Sequence, residues 1–187
     1  MVRYIERTPF LRYKNGYKIA LYGNNLLENQ KRRNDMTLTQ KEMTLLSDLK
    51  SQEQICIEKY TQYSQMAHDP ELKNLFTTLA GNERKHLDTL NQILNGTEVS
   101  MPSASPSAVQ AKLQCKVSVC NEVEKKNDAY LCKDALSMEK HVSGVYNTGV
   151  FEFANPVLRD TLAHIQKEEQ NHGETLYDYM QTNGMYS

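Results

Sequence analysis

A 43-residue stretch of this chain occurs twice, and that repetition limits what the chain can fold into. Residues 48–90 align without a gap to residues 134–176, an offset of 86. Ten positions are identical: Asp48/Asp134, Ser51/Ser137, Glu53/Glu139, Tyr60/Tyr146, Pro70/Pro156, Leu72/Leu158, Glu83/Glu169, His86/His172, Thr89/Thr175 and Leu90/Leu176. Chance at ordinary residue frequencies gives about three. A duplicated structural unit accounts for the excess. Each copy holds one Glu-x-x-His, Glu83-Arg84-Lys85-His86 and Glu169-Gln170-Asn171-His172, with a further glutamate, Glu53 or Glu139, 30 residues before it.

The unit reads as a helical hairpin. Thr39 and Glu42 have the form of a capping box, with Leu38 ahead of it. Met43, Leu46, Leu49, Ile57 and Tyr60 then recur at helical intervals to about Ala67. Asp69-Pro70 is an N-cap followed by a proline that suits the first helical turn. The second helix runs to about Asn95, where Gly96 supplies a left-handed stop, with Leu72, Leu75, Phe76, Leu79, Leu87, Leu90 and Leu94 as its inward candidates. Asn155-Pro156 and Asn183-Gly184 repeat the signals for a third helix over about 128–154 and a fourth to about Thr182. The expected body is 36–187: hairpin 39–95, crossover 96–127 and hairpin 128–182. The crossover opens with a Pro- and Ser-containing linker and is expected to be partly helical after residue 108. Its 32 residues can span the length of a bundle, so the two hairpins can pack as an all-α four-helix bundle, up-down-down-up, with one long connection.

Counting places the repeated polar residues at one height. Glu53 lies 17 residues before Pro70, and Glu83 and His86 lie 13 and 16 after it. At about 1.5 Å per residue these are about 25, 20 and 24 Å from the turn. Glu139, Glu169 and His172 stand in the same relation to Pro156. Residues i and i+3 share a helix face, so each Glu-x-x-His can aim both groups at one point. Facing hairpins would gather four carboxylates and two imidazoles in mid-bundle. Burying four unpaired glutamates costs several kcal/mol each, by order of magnitude, so a positive counterpart is required. Two divalent ions offset four carboxylates, and this donor set is that of ferritin-like di-iron and di-manganese sites; mixed carboxylate and imidazole suits Fe or Mn. Tyr60 and Tyr146, seven residues after Glu53 and Glu139, are placed to hydrogen-bond a ligand carboxylate; the same spacing also suits ordinary core tyrosines. A solvated Glu/His helix surface and an inherited but empty site are the competing readings. His68, His141 and His164 have no histidine partner in the other repeat and read as surface or structural residues.

Composition narrows the function classes. The net charge of −1 gives no reason to expect nucleic acid. No apolar run reaches the roughly 18 residues that a membrane span needs, and no secretory h-region is present. Cys56, Cys115, Cys120 and Cys132 form no C-x-x-C pair, so neither a zinc knuckle nor a rubredoxin-type iron site is signalled. Residues 1–35 differ from the body: eight Lys/Arg against three acids, with Tyr4, Tyr13, Tyr17 and Tyr22. They read either as a disordered basic arm or as translated sequence ahead of a start at Met36. In the second case Arg32-Arg33 would be encoded by AGGAGG, a ribosome-binding site.

From Met36 to Tyr186 the sequence resembles the Coat F family of spore coat proteins, within the ferritin-like group. The segments that carry the resemblance are Leu46–Glu58, Asp69–His86 and, above all, 134–186. The last includes Met138-Glu139-Lys140-His141, Val145-Tyr146-Asn147-Thr148, the run His164 to Gly173, and the run Tyr179 to Tyr186. The resemblance implies a coat component made in the sporulating cell, with other coat proteins as partners and self-association expected. From the ferritin-like group it implies Glu53 and Glu139 as terminal ligands, Glu83 and Glu169 as bridging ligands, and His86 and His172 as one nitrogen ligand on each of two Fe or Mn ions. If active, such a centre would do redox chemistry on O2 or on H2O2, the latter as a peroxidase or catalase does. Coat F membership does not by itself require the full set, but this sequence holds all six residues. It holds no rubredoxin-like domain. The alternative function is a purely structural coat protein.

Overall fold

The computed structural model describes residues 37–97, 99 and 117–186. The basic N-terminal stretch, Met36 and most of the expected crossover lie outside them. Four helices make up the described fold: α1 (Gln40–Met66), α2 (Pro70–Leu94), α3 (Glu122–Glu152) and α4 (Pro156–Thr182).

Local chemistry sets their ends. Thr39 caps α1 in a reciprocal capping box with Glu42. Asp69 and Asn155 cap α2 and α4, each followed by its proline. Gly96 and Gly184 follow α2 and α4 at φ of 69° and 64°, the left-handed backbone that glycine adopts without a Cβ clash. The third helix starts at Glu122, ahead of the expected 128, because Asn121 and Glu124 form a second capping box that draws the polar run 122–127 into the helix. Residues 117–120 are not helical.

α1 and α2 are antiparallel, as are α3 and α4. The hairpins dock so that α1 runs antiparallel to α3. Lys41 near the start of α1 pairs with Glu152 at the end of α3, and Tyr63 near the end of α1 donates to Asp134 near the start of α3. α2 and α4 cross in the same sense: the Tyr179 hydroxyl, late in α4, donates to Asp69 ahead of α2 (2.8 Å). The arrangement is up-down-down-up. Its core holds Leu46, Leu49, Tyr60, Phe76, Leu90, Val142, Leu162 and Leu176, each fully buried. On each helix apolar residues both precede and follow the repeated polar ones, so the polar cluster lies between two apolar layers. Met43, expected inward, is exposed. The inward place in that turn belongs to Glu42, whose Oε1 accepts from the Ala154 amide across the bundle (2.9 Å). Leu87 and Leu94 are half-buried, and Ile93 is buried in the last turns of α2.

Candidate metal centre

Six residues named from the repeat meet in mid-bundle. α1 supplies Glu53, α2 Glu83 and His86, α3 Glu139, and α4 Glu169 and His172. Glu53, Glu83 and Glu169 have no solvent exposure, and the other three at most 3%. Two sets of four form. Glu53, Glu83, His86 and Glu169 each offer one donor atom within 4.8 Å of the others, and so do Glu83, Glu139, Glu169 and His172. Glu83 and Glu169 belong to both sets, while Glu53 and Glu139 belong to one each. The two imidazoles lie side by side, ring centroids 5.7 Å apart.

The contacts obey the repeat. His86 Nδ1 lies 2.9 Å from Glu169, 3.0 Å from Glu83 and 3.7 Å from Glu53. His172 Nδ1 lies 2.9 Å from Glu83, 3.6 Å from Glu169 and 3.9 Å from Glu139. Tyr60 donates to Glu139 Oε1, and Tyr146 donates to Glu53 Oε1. Each phenol thus holds the glutamate of the opposite hairpin, which counting along one helix could not show. Both tyrosines are fully buried, and burial together with the carboxylates raises their hydroxyls well above the usual range, so they stay protonated donors.

Burial and charge divide the carboxyls into two kinds. Burial lifts Glu53 to about 8, against a partial pull from His86. Burial lifts Glu139 well above its usual range, and the neighbouring Glu169 and Glu83 add to the effect. For Glu83 and Glu169 burial also pushes upward, but the imidazoles of His172 and His86 outweigh it and hold both below the ordinary value. Burial alone would keep the histidines neutral. Glu168, Glu169, Glu53 and Glu83 override it at His86, and Glu169 and Glu83 bring His172 to about 9. Without an ion these opposed shifts favour protons on Glu53, Glu139 and the two imidazoles over Glu83 and Glu169.

The donor set is one that could hold metal. Glu53 Oε2, Glu83 Oε1, Glu139 Oε2, both Glu169 oxygens and His172 Nδ1 are buried without a hydrogen-bond partner. His172 Nδ1 and Glu83 Oε1 are only 2.9 Å apart yet lack hydrogen-bond geometry. Buried polar atoms of a folded protein are nearly all satisfied. These six atoms belong to five of the six clustered residues, and unsatisfied carboxylate and imidazole atoms in such a cluster are what metal ligands leave when no ion is counted.

Two neighbours of the cluster were not legible in the sequence. His86 Nε2 donates to Glu168 Oε2 (3.0 Å), and His172 Nε2 meets the side-chain amide of Asn82 (3.3 Å). Asn82 and Glu168 are equivalent positions in the two repeats, each immediately before the glutamate of its Glu-x-x-His. They are not identical, so a search for repeated residues passes over them. A groove of about 480 Å³ opens between α3 and α4, lined by Leu136, Glu139, Ser143, Glu169, Gly173 and Tyr177 among others.

Of the remaining candidates, His141 is exposed, and His68 and His164 are about two-fifths exposed; His68 stands 3.4 Å from Asp128 and His164 3.6 Å from Glu168. Cys56 and Cys132 are buried, Cys120 is half-buried, and Cys115 lies outside the described residues. No described helix is long and apolar enough to cross a membrane.

Comparison with known proteins bears on the fold. The Coat F domain matches residues 127–187, most of α3 and all of α4. The crystal structure of a two-domain protein with DJ-1/ThiJ/PfpI-like and ferritin-like domains, from Anabaena variabilis, is similar at a TM-score of 0.57 and 19% identity. The match covers 75% of this chain and 36% of that one, so this chain spans about a third of that protein's length. No curated protein matches. The chain is thus an all-α four-helix bundle of ferritin-like fold whose second hairpin is similar to the Coat F domain.

Proposed function

We propose that this chain is a spore coat component whose bundle holds two Fe or Mn ions on Glu53, Glu83, His86, Glu139, Glu169 and His172, and that the centre acts on peroxide or O2. The observation that carries the reading is the gathering of six buried carboxylate and imidazole side chains from all four helices in two overlapping sets of four. Glu83 and Glu169 stand within reach of both positions; Glu53 with His86, and Glu139 with His172, complete one each. Such ions, when bound, supply redox equivalents to small oxygen species. The chain's own residues exclude bulk water through the apolar layers. Tyr60 and Tyr146 hold the outer carboxylates by one oxygen and leave the other facing inward. Association with other coat proteins, and with further copies of the chain, belongs to the same proposal.

The second reading is a structural coat protein with an empty site. Its support is that Glu53, Glu139, His86 and His172 are all raised, so protons can offset the buried carboxylates without an ion. Metal analysis of protein produced with Fe or Mn separates the two. About two ions per chain are expected, falling below about 0.5 in Glu53→Ala/Glu139→Ala with helix content retained. Less than about 0.3 ion per wild-type chain would leave the structural reading.

A further inference from the structure

The two halves of the cluster are related by the repeat, but their surroundings are not. Behind His86 stands a carboxylate, Glu168, accepting from Nε2 at 3.0 Å. Behind His172, at the equivalent place, stands the amide of Asn82, at 3.3 Å, with its oxygen taken by Lys85 (3.1 Å). A carboxylate can only accept, so it fixes the Nε2 proton and leaves Nδ1 facing the cluster; it also raises the basicity of the ring as a ligand. The uncharged amide, its oxygen on Lys85, turns its Nδ2 donor toward the ring, so it neither fixes an Nε2 proton nor raises the basicity of the ring. Partners of this kind change metal affinity by about 10–100-fold.

The groove breaks the symmetry in the complementary sense. It is lined by Glu139, which belongs to the His172 set alone, and by Glu169, which belongs to both sets. Its lining includes Gly173 and Ser143, where the first hairpin has Leu87 and Ile57. Packing does not demand this glycine. A Cβ on Gly173 would make ordinary contacts, 3.6 Å to Leu136 Cδ1 and 3.8 Å to Glu139 Cβ. A glycine inside a helix is unfavourable by about 1 kcal/mol relative to alanine. Its effect here is to leave space beside Glu139.

We propose that the two positions divide their work: the Glu53–His86 half, backed by Glu168, is the tight holding position, and the Glu139–His172 half, backed by Asn82 and adjoining the groove, is the labile one at which small molecules gain access. The inference rests on the reading of the six residues as a two-ion centre.

Isosteric exchanges test it in the full chain. Metal-free protein is titrated with Mn(II), free ion being followed by electron paramagnetic resonance, and crystals given one equivalent are examined by anomalous scattering. In the wild type the first ion is expected at the His86 half. Glu168→Gln should weaken the first step about 10-fold, and Asn82→Asp should strengthen the second step. Removal by a chelator should be biphasic, with the fast phase slowed by Gly173→Leu. Gly173→Ala, which meets no obstruction, checks that the helix tolerates a side chain there. Equal weakening of both steps by Glu168→Gln, no effect of Asn82→Asp, or a first ion at the His172 half would overturn the division of work and leave the two-ion centre standing. Failure of the wild type to bind Mn(II) would overturn both.

Discussion

At the scale of single residues, the centre is a competition between protons and cations for the same atoms. Because Glu53, Glu139, His86 and His172 are all raised, the metal-free cluster is expected near pH 7 to hold about four protons beyond those of its ligating form. Two divalent ions carry the same charge as those protons. Loading metal-free protein with Mn(II) at pH 7 is therefore expected to release about four protons, measured by calorimetry in buffers of different ionisation enthalpy. Release of one proton or none would show that the ions bind elsewhere. The tyrosines are tested separately. Tyr60→Phe keeps the ring that stacks on Phe76 at 5.8 Å but removes the donor to Glu139. Leaving that buried oxygen unpaired should cost about 1–3 kcal/mol, read from the urea midpoint of the metal-free protein.

At the scale of elements, the repeat builds a pair of clasps that its identical residues do not reveal. Asp128, near the start of α3, is fully buried and accepts from the backbone N–H groups of His68 (2.8 Å) and Asp69 (2.9 Å) in the α1–α2 turn. Its equivalent, Glu42 in α1, accepts from Ala154 in the α3–α4 turn, and Ala154 is the equivalent of His68. Each hairpin thus ties down the other's turn. Asp128→Ala should destabilise the bundle by about 1–3 kcal/mol by orphaning two amides, and hydrogen exchange at residues 68 and 69 should quicken. The glycines divide the same way. A Cβ at Gly144, inside α3, meets nothing within 4 Å, so Gly144→Ala should stabilise by about 0.5–1 kcal/mol. At Gly149 the same change brings a Cβ within 3.1 Å of Leu162 and 3.6 Å of Leu49. Thermal melts of both variants should show a rise for the first and no comparable gain for the second.

At the scale of the whole molecule, the centre links stability to pH. Glu53 is raised from 4.5 to about 8 and His172 from 6.5 to about 9 on folding. The metal-free native state then binds more protons than the unfolded chain across that window, and its stability should fall as pH rises from about 4.5 to 9. Below about 4.5 the sign reverses, because Glu83 and Glu169 are held below their ordinary value. Metal-free protein should be most stable near pH 5. With saturating Mn(II) the bound native state carries none of these protons, so stability should rise up to about pH 6.5, the ordinary histidine value, and then level off. Melting temperatures from pH 4 to 9, with and without Mn(II), check both slopes. A metal-free curve that rises from pH 5 to 8 would contradict the protonation pattern.

The sequence by itself determined the four helices and the height at which six residues meet. Caps, Asx-Pro turns and terminal glycines act within a few residues, and helical rise turns residue counts into distances. The early start of α3 escaped because a polar run shows no apolar period, although the Asn121–Glu124 box was present. What only the tertiary structure decided are relations across the bundle: Tyr60 bonding Glu139 and not Glu53, Glu42 and Asp128 clasping opposite turns, Glu168 and Asn82 standing behind different histidines, and the space left at Gly173. These depend on which helix packs against which and in what direction. An offset of 86 residues shows that two units are alike; it does not show how they face each other.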